Sequence, residues 1–237
     1  MALPQLNNDN PIYEMEVPST GETVNFRPFL VREQKNLLIA LESQDPKQLL
    51  KAMLSCLESC VSNVKVSELS TFDVDYMFTQ IRSKSVGETT KVLIKCENCE
   101  DESSVDVNLS EIKMDTAEMQ DPLIQLTDKI SVKMKYPTYV DMMDSTIFNE
   151  DMSRVEFIFE NVVNSMHSIQ TEDENILLKD EPKEELDKFI NNLSNEQLEK
   201  ITDFVEGMPT LKHVIQNKCV KCGHDNELIL EGLQDFF

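Results

Sequence analysis

The chain has no tryptophan, only five glycines among 237 residues, three histidines, and half as many basic side chains as acidic ones, 22 against 44. Each shortage excludes a class of chemistry. So few glycines leave no Gly-rich loop to cradle a phosphate, and neither Gly-x-Ser-x-Gly nor His-Glu-x-x-His occurs. His167, His213 and His224 stand in unrelated contexts, so no histidine-centred catalytic group is expected. The net charge of -22 would repel a phosphate backbone, which argues against direct nucleic-acid binding. No run approaches the roughly 18 apolar residues of a membrane span. Residues 1 to 8 lack the charged and apolar regions of a signal peptide, so a reducing cytoplasm is the expected setting, where thiols stay available for metal. Acidic pairs are frequent but uninformative, because charge runs are usually solvated faces.

What the chain does have is two matching Cys-x-x-Cys elements, Cys96-Glu-Asn-Cys99 and Cys219-Val-Lys-Cys222. Their flanks match too. Val92-Leu-Ile-Lys95 precedes one as Val214-Ile-Gln-Asn-Lys218 precedes the other, and Val105-Asp-Val-Asn-Leu109 follows as Glu227-Leu-Ile-Leu230 does. Each copy is predicted to be a strand, a metal knuckle and a returning strand. A two-residue gap lets one tight turn aim both sulfurs at the same ion, and four thiolates close a tetrahedral site. Cys96, Cys99, Cys219 and Cys222 are therefore the candidate ligands of one structural zinc ion. Paired knuckles are usually separated by roughly 15 to 20 residues, whereas here residues 100 to 218 intervene, so the metal would join two distant parts of the chain. Two other readings stay open: four bare thiols, or a redox dithiol. The redox reading needs a helix after the motif, and neither pair is followed by a helical pattern. His224, two residues past Cys222, reads as a loop residue more than as a fourth ligand. Cys56 and Cys60 fall at helical spacing with Leu49 and Met53 and read as small core residues.

The remaining pattern is α+β. A hairpin is expected from Tyr13–Val17 and Val24–Phe29 around Pro18-Ser-Thr-Gly21. Helices are expected over Val31–Ser43, over Pro46–Val61 with Asp45 as cap, and over Phe72–Lys84, where Val74, Met77, Phe78 and Ile81 share a face. Lys129–Tyr136 alternates as a half-buried strand. Helical patterns follow near Thr138–Thr146 and over Asp151–Met166, carrying Val155, Ile158, Phe159, Val162 and Val163. Thr171–Asn175 is an acidic loop that lacks the central glycine of an EF-hand, and Ile176–Leu178 a short strand. Ser194-Asn-Glu-Gln197 has the form of a capping box for a helix ending at Gly207. The expected fold is a helical core with an N-terminal β-hairpin and two knuckle hairpins forming one four-cysteine, zinc-ribbon-like site. By segments, 1–87 is the hairpin and helical part, 88–109 and 209–237 are the knuckles joined by one metal, and 110–208 is a strand plus helices, the whole forming one compact body. Two terminal phenylalanines, Phe236 and Phe237, could serve as a contact site or fold back onto the core.

Three segments carry a family resemblance. They are Phe26-Arg-Pro-Phe-Leu-Val-Arg-Glu-Gln-Lys-Asn-Leu-Leu38, Leu69-Ser-Thr-Phe-Asp-Val-Asp-Tyr-Met-Phe-Thr-Gln-Ile-Arg-Ser-Lys-Ser-Val-Gly-Glu88, and the stretch from Ile130 ending Met134-Lys-Tyr-Pro-Thr-Tyr139. Together with the knuckles they resemble the T4-like phage baseplate hub proteins, a family that includes a hub subunit and a hub assembly catalyst. The resemblance implies a late protein that helps the central hub of a contractile tail form, and the absence of catalytic motifs leads us to expect no enzyme. Its partners would be other phage baseplate hub proteins, with no nucleic acid, membrane or small-molecule substrate. Its setting would be the host bacterial cytoplasm during assembly, or the virion tail baseplate. Hub subunit and assembly catalyst both remain open, and the alternative from another class is a zinc-ribbon regulator of transcription or replication. Within the matched segments, Arg82 and Lys84 read as cations at a helix end rather than as a partner site.

Overall fold

The computed structural model describes residues 10–115, 120–144 and 153–231. It is a mixed α+β chain that divides into two compact units. One comprises the described parts of Met1–Val66, Phe72–Met114 and Leu211–Phe237, the other those of Ser67–Thr71 and Asp115–Thr210.

The first unit begins with the expected hairpin, β1 (Tyr13–Glu16) and β2 (Thr23–Phe26), with β3 (Val61–Ser62) added beside β2. Alternation buries Met15, Val24 and Phe26 on one face. Tyr13 and Phe26, directly opposite across the strands, stack with ring centroids 5.5 Å apart. The return strand stops at Phe26 rather than Phe29, since Pro28 has no N–H for a ladder, and is followed by Arg27. Its guanidinium donates to Pro28 O at 2.9 Å, Ser59 O at 2.8 Å and Glu33 Oε1 at 3.0 Å. Helices α1 (Val31–Glu42) and α2 (Pro46–Cys60) follow and pack on each other. Asp45 caps α2 by accepting from Lys47 N at 2.9 Å and Gln48 N at 3.4 Å, with Pro46 at the first helical position as read from the sequence. Cys56 and Cys60 are buried in its core-facing side. Helix α3 (Thr71–Ser85) buries Val74, Met77, Phe78 and Ile81, the predicted stripe. At its end Lys84 bonds Glu88 at 2.6 Å and lies 5.8 Å over the Tyr13 ring, a local pairing for a cation at a helix C-terminus.

The unit is completed by two β-ribbons. β4 (Thr89–Lys95) pairs antiparallel with β5 (Glu102–Asn108), and β11 (Thr210–Lys218) pairs with β12 (Asp225–Glu231) in a sheet of order β12-β11-β6, where β6 is Lys113–Asp115. β6 has no counterpart among the strands expected from the sequence.

The second unit is a four-stranded antiparallel sheet of order β10-β9-β8-β7, formed by β7 (Leu123–Thr127), β8 (Ile130–Met134), β9 (Met166–Gln170) and β10 (Asn175–Leu177). Helices α5 (Arg154–Ser165), α6 (Lys183–Asn191) and α7 (Asn195–Glu206) contribute to its core, where Val132, Met134, Val162, Ile201 and Phe204 are fully buried. Tyr136 stacks on Phe204 at 5.2 Å, and Gln197 Nε2 donates to Leu126 O at 3.1 Å, tying α7 to β7. The capping box at Ser194 and Gln197 is present, and a second one, Ser153 with Glu156, opens α5. Of the helix expected near Thr138–Thr146, α4 (Tyr139–Asp144) is described, and the rest lies outside the described residues, as do residues 151 and 152 and the terminal phenylalanines. Met166 begins β9 instead of ending a helix. Ile158 and Phe159, two apolar positions of the expected helical pattern, are exposed.

Candidate metal centre

The two knuckles are copies of one local structure. Cys96 N–H donates to Asp101 O at 2.9 Å and Glu100 N–H returns to Cys96 O at 2.9 Å. In the second, Cys219 N–H donates to His224 O at 2.8 Å and Gly223 N–H returns to Cys219 O at 2.9 Å. The fifth position of each turn is left-handed, with φ of 58° at Glu100 and 74° at Gly223. Glycine suits that conformation and glutamate does not, so of two otherwise equivalent turns the second is relaxed and the first is strained.

Each turn also directs backbone N–H groups at sulfur. Those of Asn98 and Cys99 donate to Cys96, that of Asp101 to Cys99, and that of His224 to Cys222. Burial raises the Cys96 thiol, but the two amide donors and the sulfurs of Cys219 and Cys222 outweigh it and bring it down to about 6. Cys222 is lowered by the His224 amide and the Asn98 side chain. At Cys99 the Asp101 amide pulls downward, yet burial and the sulfurs of Cys222, Cys219 and Cys96 push it up to about 12. That divergence is what like charges crowded together produce: some sulfurs ionise easily and another then resists.

The ribbons bring the pairs into one cluster. Cys96 Sγ lies 3.7 Å from Cys222 Sγ, Cys99 Sγ lies 3.6 Å from Cys219 Sγ, and all four sulfurs fall within 4.8 Å of one another. A disulfide needs about 2 Å between sulfurs, whereas four thiolates each about 2.3 Å from a common ion would sit roughly 3.8 Å apart. The donor set and its spacing therefore fit one tetrahedral metal ion, and the four cysteines could bind one. Both pairs lie in β-turns, not at helix N-termini, which removes the structural setting of a thioredoxin-like dithiol. His224 is outside the cluster and takes part through its backbone.

Several residues that sequence reasoning missed hold the knuckles together. Asn226, only 6 % exposed, accepts from Glu97 N at 3.1 Å and donates to Asn217 O at 3.3 Å and His224 O at 3.4 Å. Lys221 bonds Asp101 at 3.0 Å, and Asn217 Nδ2 donates to Ser103 Oγ at 3.2 Å, joining β11 to β5. An asparagine seven residues past a cysteine carries no recognisable signal. Its part appears only when the two ribbons are side by side.

A family model described as T4 bacteriophage base plate protein matches residues 10–237. No curated protein and no solved structure matches the chain at a significant level. The three segments that carry the resemblance and both cysteine pairs all fall inside the matched range, and the chain belongs to the T4 bacteriophage base plate protein family.

Proposed function

We propose that this chain works in the central hub of the baseplate, as a hub subunit or as an assembly factor that chaperones the hub, and that it does so through contacts with other hub proteins without catalysis. The observation that carries the reading is the family match over nearly the whole chain. The site chemistry supports it: a set of four cysteines fills every position of a tetrahedral ion and leaves none for a reacting water. We assign the ion as one structural zinc on Cys96, Cys99, Cys219 and Cys222, since soft thiolates in a closed four-ligand set favour zinc.

Support for a contact-mediated role also comes from α1. Its inner face buries Glu33 and Ala40, while Val31 and Leu38 stand exposed on the opposite side and Ile39 and Leu41 on its flanks. A helix that leaves such apolar residues in solvent is the kind that gains by being covered from outside. Co-expression of the chain with each hub protein of the same phage, followed by sizing chromatography, tests the proposal. A stable complex with one of them is expected, and absence of a complex with all of them overturns it. Mass spectrometry of finished particles then separates the roles, a subunit being retained and an assembly factor lost.

A further inference from the structure

The outer edge of β12 is an open hydrogen-bonding edge. β12 is the end strand of its sheet, and among the described residues no strand pairs with its far side. Which backbone groups face that side follows from the register. Cys219 N–H donates to His224 O, and β11 and β12 run on in register from Lys218↔Asp225 to Lys212↔Glu231 without a bulge. Antiparallel strands alternate bonded and non-bonded pairs, so Asn226 and Leu228 direct their N–H and C=O groups at β11. Those of Asp225, Glu227 and Ile229 point away from it, into the open edge.

The side chains of the same three residues lie on the exposed face of the ribbon. Asp225 and Glu227 are exposed and acidic, each met on the β11 side by one polar residue, Lys218 at 3.7 Å and Gln216 at 3.3 Å. Ile229 is 54 % exposed and sits opposite Val214, itself 52 % exposed. The edge therefore presents two carboxylates and then an apolar pair, at alternate positions. A second copy of the chain is a poor occupant, because like charges directly opposite one another destabilise a strand pair and each copy carries a net charge of -22. A strand of opposite charge has the complementary pattern.

We propose that β12 accepts an extended segment of a partner protein as an added antiparallel strand, and that this segment reads apolar-x-basic-x-basic, with the apolar residue opposite Ile229 and the basic residues opposite Glu227 and Asp225. Main-chain hydrogen bonds supply the attachment and the alternating side chains the choice of partner. The inference deepens the contact-mediated reading and rests on it. The competing account of the same acids is that they guard the edge against any pairing.

The experiment uses the full chain and a synthetic peptide, Thr-Val-Thr-Lys-Thr-Lys-Thr, with a control in which both Lys are Glu. Amide hydrogen exchange at Glu227 and Ile229 is expected to be fast in the free chain and to slow at least tenfold with millimolar basic peptide, but not with the acidic control. Glu227→Pro removes an N–H that the β11 ladder does not use, so it should fold and lose the response. Should it misfold, Glu227→Lys serves instead and should weaken the response to the basic peptide. Slow exchange in the free chain, no slowing with the basic peptide, or an equal response to both peptides overturns the proposal. No hub protein enters this experiment, so its failure and a failure of the co-expression test are separate results.

Discussion

Asn226 and Glu97 join the two knuckles through a single hydrogen bond, Glu97 N–H to Asn226 Oδ1 at 3.1 Å, across 129 positions of sequence. The same amide group holds Asn217 O and His224 O with its nitrogen. Asn226→Ala would leave the Glu97 N–H without this partner, an unmade part-buried bond that costs about 1–3 kcal/mol, while His224 O keeps the Cys219 N–H. A net loss of about 1–2 kcal/mol is expected in a urea titration, with the slope of the transition unchanged.

The left-handed turn positions make opposite predictions. Glu100→Gly relieves a conformation that glutamate disfavours and should stabilise the chain by about 0.5–1 kcal/mol, because the exposed Lys95 pair it gives up is worth little. Gly223→Ala should destabilise by about 1 kcal/mol. A β-carbon there meets nothing within 4 Å, so the cost is conformational alone. Paired thermal melts of the two variants check both signs.

Removing one of Cys96, Cys99, Cys219 or Cys222 by change to serine should abolish stoichiometric zinc in native mass spectrometry and lower the melting temperature of the first unit. A chelator added to the unaltered chain should give the same shift. Cys56→Ala and Cys60→Ala should keep the metal and lose only the packing of a small buried side chain, on the order of 1 kcal/mol.

Acid should weaken the start of α1. Glu33 is 5 % exposed. Burial alone would raise its carboxyl, but hydrogen bonds from Arg32, the Leu30 N–H and Arg27 bring it down to about 2 from an ordinary 4.5. A depressed carboxylate contributes stability that is present above the unfolded value and lost as pH falls toward the folded one. The full shift corresponds to about 3 kcal/mol, and screening of the exposed Arg32 reduces this to about 2 kcal/mol. Stability measured from pH 5 down to pH 2 should fall by that amount in the unaltered chain, and more shallowly in Glu33→Gln.

How far the sequence could be read depended on whether a signal was local. The knuckles, the Asp45 and Ser194 caps and the α3 stripe are written in residues a few positions apart, and all stand where expected. Beyond that reach the reading failed. The helical pattern of α5 runs into Met166 with no glycine or proline between, so the start of β9 is set by pairing with β8 rather than by a local stop. α6 buries only Leu186 and Ile190 in a highly charged segment, too thin a stripe to stand out. The bonds of Arg27 with Glu33 and Ser59, and those of Asn226, are tertiary and left no trace in spacing.

The separation of the two cysteine pairs also sets a timetable. Cys99 and Cys219 are 120 residues apart, so at about 5–20 residues per second of synthesis the first knuckle waits roughly 6 to 24 s for the second to be made. During that interval Cys96 and Cys99 present two sulfurs of an unfinished set, exposed to oxidants and to any competing ion. The long loop that must then close also makes this a late contact in folding. Completion of the cluster thus reports that translation has passed residue 222, and a nascent or truncated chain lacking that segment cannot pass for a finished one.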